Sequence, residues 1–184
     1  MGNIALVVGP HGVGKSTLFK FAKSKGELIV FEGIEIPKNG YDLNIKGDFL
    51  EYEALYTESI NKNNRLIKTS DRDGLVVRSI EESSYYFYFY RDANVISDYR
   101  RIFEDEKNIK ADCLFFLDAD FDTLQARCKN DSARDMQETK LWYRNEYERY
   151  IDYWKKYPGI VTIDTTGRST ESIYEEIKCV LQRI

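Results

Sequence analysis

Residues 9–16 read Gly-Pro-His-Gly-Val-Gly-Lys-Ser, a full match to G-x-x-x-x-G-K-[ST]. This is the pattern of a loop that cradles phosphate. Its glycines let the backbone curl until several N–H groups converge on phosphate oxygens, and a helix starting near Gly14 adds its partial positive charge. Lys15 has the reach and charge for the β- and γ-phosphates of a nucleoside triphosphate, and the Ser16 hydroxyl suits a magnesium ion. Gly9, Pro10, His11, Gly12, Val13, Gly14, Lys15, Ser16 and Thr17 are therefore the expected binding residues for ATP and Mg2+. His11 is the only histidine in the chain. It has two readings: an exposed loop residue, or a donor to a substrate on the acceptor side; alone it makes no metal site.

A second candidate is the Asp71-Arg72 pair in "LIKTSDRDG". At the end of a strand beside the first, Asp71 would hold Mg2+ or accept the proton of an attacking hydroxyl, and Arg72 would grip an acceptor phosphate with two parallel hydrogen bonds. The plainer alternative makes Asp71 a helix cap and Arg72 a surface charge, although Asp73 fits the cap better. A third candidate is the basic stretch "RCKNDSARD", with Arg127, Lys129 and Arg134. It reads as a lid over about 129–138 that folds onto phosphates, or as a solvated helix face.

The elements needed to position these groups alternate along the chain. Strands are expected at Asn3–Gly9, Leu28–Phe31, Arg65–Ser70, Leu114–Asp118 and Ile160–Asp164. Helices are expected at Gly14–Lys25, Asp48–Asn61, Ser83 to about Lys107, Phe121–Lys129, Glu138–Tyr157 and Ser169–Arg183. Alternation of this kind builds a parallel sheet with helices on both faces, and ligands bind beyond the carboxyl ends of its strands. The phosphate loop lies directly after one strand and directly before a helix, as its chemistry requires.

Composition narrows the partners. The chain has 184 residues, 42% of them hydrophobic, and nothing marks a boundary, so one domain over 1–184 is expected. A net charge of −4 is a poor match for long nucleic acid and leaves room for a small anionic or nucleoside ligand. Cys113, Cys128 and Cys179 lack metal-ligand spacing and fit reduced thiols in a cytosolic setting. Ile4–Val8 is too short an apolar run to span a bilayer. The continuous aromatic run at 85–90 divides between core packing and base stacking. Tyr143, Tyr147, Tyr150, Trp154 and Tyr157 recur at helical steps, which reads as a buried face or a contact between two copies.

The phosphate loop, "SDRD", "FFLDADFDTLQARCKNDSARDMQE" and "VTIDTTGRSTESIYEEI" occur in an order that resembles the P-loop nucleoside and nucleotide kinases, most closely the thymidylate kinase branch. The resemblance implies a three-layer fold whose five parallel strands run 2-3-1-4-5. It also implies transfer of the γ-phosphoryl of Mg·ATP to a nucleoside monophosphate or nucleoside. Asp71 and Arg72 would meet the acceptor and magnesium, Arg127 and Arg134 would close on the transferred group, and the turn Thr165, Thr166, Gly167, Arg168 would lie against adenine. The chain departs from the branch at His11, in "FEGIEIPKNG" after strand two, and at Asp73 after the Asp-Arg pair. The first two touch the acceptor side, so the donor assignment stands and the acceptor is open, and Asp73 in place of an aromatic points to an altered acceptor. A P-loop ATPase, a nucleotide-binding regulator and a polynucleotide 5′-kinase are the alternatives.

Overall fold

The computed structural model describes residues 1–32, 46–77, 79–81, 102, 105–129 and 148–184, with backbone alone at 46–50. Its centre is β1 (Ile4–Val8), five apolar residues that are all buried. A strand with no polar face must be covered on both sides, and β1 is. Ala5 and Val7 pack into one core with Leu18, Phe19, Ile173 and Ile177, whereas Ile4, Leu6 and Val8 pack into a second with Ile67, Phe116, Tyr150 and Trp154. The period-two alternation of a strand thus divides one short segment between two helical layers.

The other strands are β2 (Ile29–Phe31), β3 (Gly74–Val76), β4 (Cys113–Asp118) and β5 (Val161–Asp164). They form one sheet in the order β2-β3-β1-β4-β5, and every pairing is parallel. The described helices are α1 (Lys15–Lys25), α2 (Lys46–Lys68), α3 (Phe121–Lys129), α4 (residues 148–155) and α5 (Thr170–Leu181). Helix α5 begins at a Ser169 cap whose side chain accepts from the Ser172 N–H, and it buries Ile173, Tyr174, Ile177 and Leu181 along one face. Among the described residues no helix is long and apolar enough to cross a membrane.

One expected strand is overturned. Arg65–Lys68 is the last turn of α2, and the third strand is Gly74–Val76 instead. The buried positions of α2, Thr57, Ile60, Asn64 and Ile67, repeat at steps of three, four and three, which carries the helix through the Leu66-Ile67 pair. Ile67 then presses on Gly74: a Cβ there would lie 2.2 Å from the Ile67 Cδ1 atom. Only glycine lets the helix end and the strand start so close together. Most of the expected helix from Ser83 to Lys107, the lid beyond Lys129, the aromatic run at 85–90, and Tyr143 and Tyr147 lie outside the described residues.

Candidate active site

The parallel sheet gathers all its carboxyl ends on one edge, and the phosphate loop opens there between β1 and α1. A cleft of about 630 Å3 is lined by Gly9, Pro10, His11, Gly12, Val13, Gly14, Lys15, Ser16 and Thr17, together with Arg127, Thr165 and Arg168. Gly14 starts α1 in the left-handed region, at φ 103°, and offers no side-chain cap to the first helical amides. A loop built this way keeps N–H groups for an anion. Lys15 Nζ donates to the Gly9 carbonyl and, at 3.1 Å, to the Pro10 carbonyl, so the lysine folds back over its own loop.

One wall of the cleft is held by Arg127. Its guanidinium donates to the Val13 carbonyl at 3.4 Å, to Thr165 Oγ1 at 3.1 Å and to the Thr165 carbonyl at 3.1 Å. Thr165 in turn donates from its N–H and its hydroxyl to the Asp118 carbonyl, at 2.8 and 3.0 Å. Arg127 therefore joins the phosphate loop to the turn after β5, and it lines the cleft beside that loop. Arg168 pairs with Glu176 at 2.7 Å and donates to the Ser172 hydroxyl at 2.9 Å. Thr166 turns to Asp120 and Asp164, and neither Thr166 nor Gly167 lines the cleft. Hydrogen bonds from the Thr123 hydroxyl and N–H hold the Asp120 carboxyl below its usual range, and the Thr166 N–H does the same for Asp164.

Asp71 and Arg72 are elsewhere. They precede β3, so they lie at the amino edge of the sheet, where Gly74 N–H donates to the Asn3 carbonyl. From Asn3 to Gly9 the chain rises about 20 Å along β1. Asp71 is exposed and lies outside the cleft lining. Arg72 donates to the Gly26 and Leu28 carbonyls at 2.6 and 3.1 Å, which fastens the turn after α1. Neither a metal role for Asp71 nor an acceptor role for Arg72 fits that position. Asp73 binds the Asn3 N–H at 2.7 Å and so caps the chain start, not a helix. Arg134 lies outside the described residues.

Several cleft residues were not expected from the sequence, and Glu32, Val77 and Tyr150 bear most on its chemistry. Glu32 follows β2 at the carboxyl edge and stands 3.6 Å from Lys23 Nζ, with both side chains partly exposed. Its sequence signal is its place just beyond the carboxyl end of a strand, where ligands sit in parallel sheets. Val77 follows β3 and was hidden by the misplaced strand. Tyr150 belongs to the aromatic stripe read as a buried face or a contact between two copies; it is buried, and its hydroxyl accepts from the Gly9 N–H at 3.1 Å. Among the described residues no three His, Cys, Asp or Glu side chains gather to cage a metal. Ser16, at the mouth of the phosphate loop, suits an ion that arrives with phosphate oxygens and its own water, the habit of magnesium.

No protein-family model matches the sequence, and no curated protein matches it either. In three dimensions the chain has the fold of the P-loop nucleoside and nucleotide kinases. Deoxyadenosine kinase from M. mycoides, solved with dCMP and a flexible dCDP, superposes with a TM-score of 0.61 at 18% identity, over 98% of this chain and 100% of that one. Thymidylate kinase from Candida albicans gives 0.62 at 15% identity, over 99% of this chain and 92% of that one. The Bacillus subtilis YorR protein, solved with phosphorylated GDP, gives 0.56 at 14%, over 98% and 96%. Identities this low make the likeness one of fold.

Proposed function

We propose that this chain is a phosphotransferase that moves the γ-phosphoryl of Mg·ATP to a nucleoside or nucleoside monophosphate. The observation that carries the reading is the cleft lining read along the strand order: Glu32 and Val77 follow β2 and β3, Arg127, Thr165 and Arg168 follow β4 and β5, and the Lys15–Ser16 loop follows β1 between them. A hydrolase needs room for water alone, whereas a transferase needs a flank on either side of that loop. Lys15 exchanges its carbonyl partners for phosphate oxygens, and the uncapped amides of α1 receive the anion. Ser16 would hold Mg2+, which neutralises charge on the triphosphate when bound. Arg127 orients the Thr165 turn toward the adenine, and Arg134 is retained as the arginine of a lid.

Glu32 bears on the acceptor. A carboxylate beside the site favours a hydroxyl acceptor, which must lose a proton as it attacks, over a phosphate acceptor, which it repels. A nucleoside is thus the reading favoured here, and the deoxyadenosine kinase neighbour is in keeping with it. The test is ADP release from Mg·ATP across nucleosides, nucleoside monophosphates and a 5′-hydroxyl oligonucleotide, with Lys15→Ala as control. Stimulation by nucleosides is expected. Turnover unchanged by every acceptor, yet dependent on Lys15, overturns the transferase reading in favour of an ATPase.

A further inference from the structure

We infer that Tyr150 is a positioning residue of the phosphate loop, which holds Gly9 by both its backbone N–H and its carbonyl and keeps that carbonyl partnered when Lys15 leaves it. The inference rests on the donor-site reading above and adds a residue to it. The Tyr150 hydroxyl accepts from the Gly9 N–H at 3.1 Å and donates to the Gly9 carbonyl at 3.4 Å. The same carbonyl accepts from Lys15 Nζ. Two donors therefore converge on one oxygen, and Lys15 is the one that a triphosphate would draw away.

The chemistry follows from that sharing. A buried carbonyl stripped of its donor costs more than the hydrogen bond itself returns. A lysine that had to abandon Gly9 and Pro10 for a triphosphate would leave such a group behind, and the affinity for ATP would drop accordingly. The phenol prevents this by staying in place. Its ring is fixed by Phe116 of β4 and by Trp154 one turn along α4, each with ring centroids 6.2 Å away, and all three side chains are buried. Because the donor is held by packing that a nucleotide does not disturb, its 3.4 Å bond can shorten as the lysine departs. A buried tyrosine always seeks some partner for its hydroxyl. What separates positioning from mere satisfaction is coupling to Lys15.

The experiment is a double-mutant cycle on the binding of a non-hydrolysable Mg·ATP analogue, read by calorimetry in the wild-type chain, Tyr150→Phe, Lys15→Ala and the double variant. Binding needs no acceptor, so the outcome is independent of acceptor identity. Tyr150→Phe should keep the native circular dichroism and weaken binding about fivefold. In the Lys15→Ala background the same change should weaken it by less than about twofold, because no lysine then leaves the carbonyl. Wild-type affinity in Tyr150→Phe, or equal losses in both backgrounds, overturns the proposal and leaves the donor site standing. Absence of Lys15-dependent binding in the wild-type chain overturns both. As a measurement free of mutation, the Gly9 amide should resist hydrogen exchange with and without the analogue, and exchange as fast as at Gly12 would also overturn it.

Discussion

At the carboxyl edge of the sheet Lys15, Arg127 and the amides of a glycine-rich loop surround an open cleft; at the amino edge Arg72 and Asp73 are turned onto the chain itself. The side-chain types are similar and the consequences are not. Arg72 spends its guanidinium on carbonyls at the end of α1, and Asp73 spends its carboxylate on the Asn3 amide. At the other edge the helix start has no side-chain cap, and the loop lysine folds back onto the Gly9 and Pro10 carbonyls beside the cleft. An Asp-Arg pair is thus chemistry or carpentry according to which end of a strand it adjoins.

The contrast can be broken most sharply at Lys15. Lys15→Ala should lower kcat at least about a hundredfold with the fold intact, since charge neutralisation is the largest part of such catalysis. A variant that keeps near-normal turnover would remove the carboxyl edge from consideration. Next in size is Glu32→Gln, which with a hydroxyl acceptor should cost about a hundredfold in kcat while leaving the KM for ATP almost unchanged. Loss of acceptor affinity without loss of kcat would instead make Glu32 a binding residue. Arg72→Ala should leave turnover within about twofold of wild type and cost about 1 kcal/mol of stability in denaturant titrations. If instead it abolished use of the acceptor, the assignment of the two edges would be wrong.

The smallest effect concerns acid. Asp120 and Asp164 have folded pKa values below the ordinary 3.8, through hydrogen bonds from Thr123 and Thr166. A carboxyl whose folded pKa is depressed stabilises the fold above its unfolded value, and that stabilisation disappears as pH falls through the folded one. Thermal midpoints should therefore decline below about pH 4, and Asp120→Asn should make the decline shallower. An unchanged acid limb in that variant would show that the turn after β5 owes nothing to this carboxylate.

Much of this arrangement was legible beforehand, for local reasons. β1, α1, β4, α3, β5 and α5 each carry an unbroken apolar run or an evenly spaced face, and the phosphate loop has a fixed spacing between a strand and a helix. β3 was not legible. Three residues carry too little periodicity to compete with Leu66-Ile67, and the case against a strand there is made by distant contacts, chiefly Ile67 on Gly74. That slip moved Asp71 and Arg72 to the wrong edge and hid Val77. Glu32 was missed because one acidic residue after a short strand has no pattern of its own. Tyr150 was seen as core and is core; that its hydroxyl also reaches Gly9 depends on how α4 crosses the sheet, which spacing does not encode.

The starts of α1 and α5 also differ in what they owe to their surroundings. α5 brings its own serine cap, whereas α1 opens on a glycine with no side chain to offer. An anion seated on α1 thus supplies what Ser169 supplies to α5, and folding and occupancy become thermodynamically linked. At about one hundred times its Kd such a ligand raises the unfolding free energy by about 2.7 kcal/mol. The melting temperature of this protein is then a concentration-dependent gauge of the phosphates around it, one that ranks candidate nucleotides before any reaction has been observed.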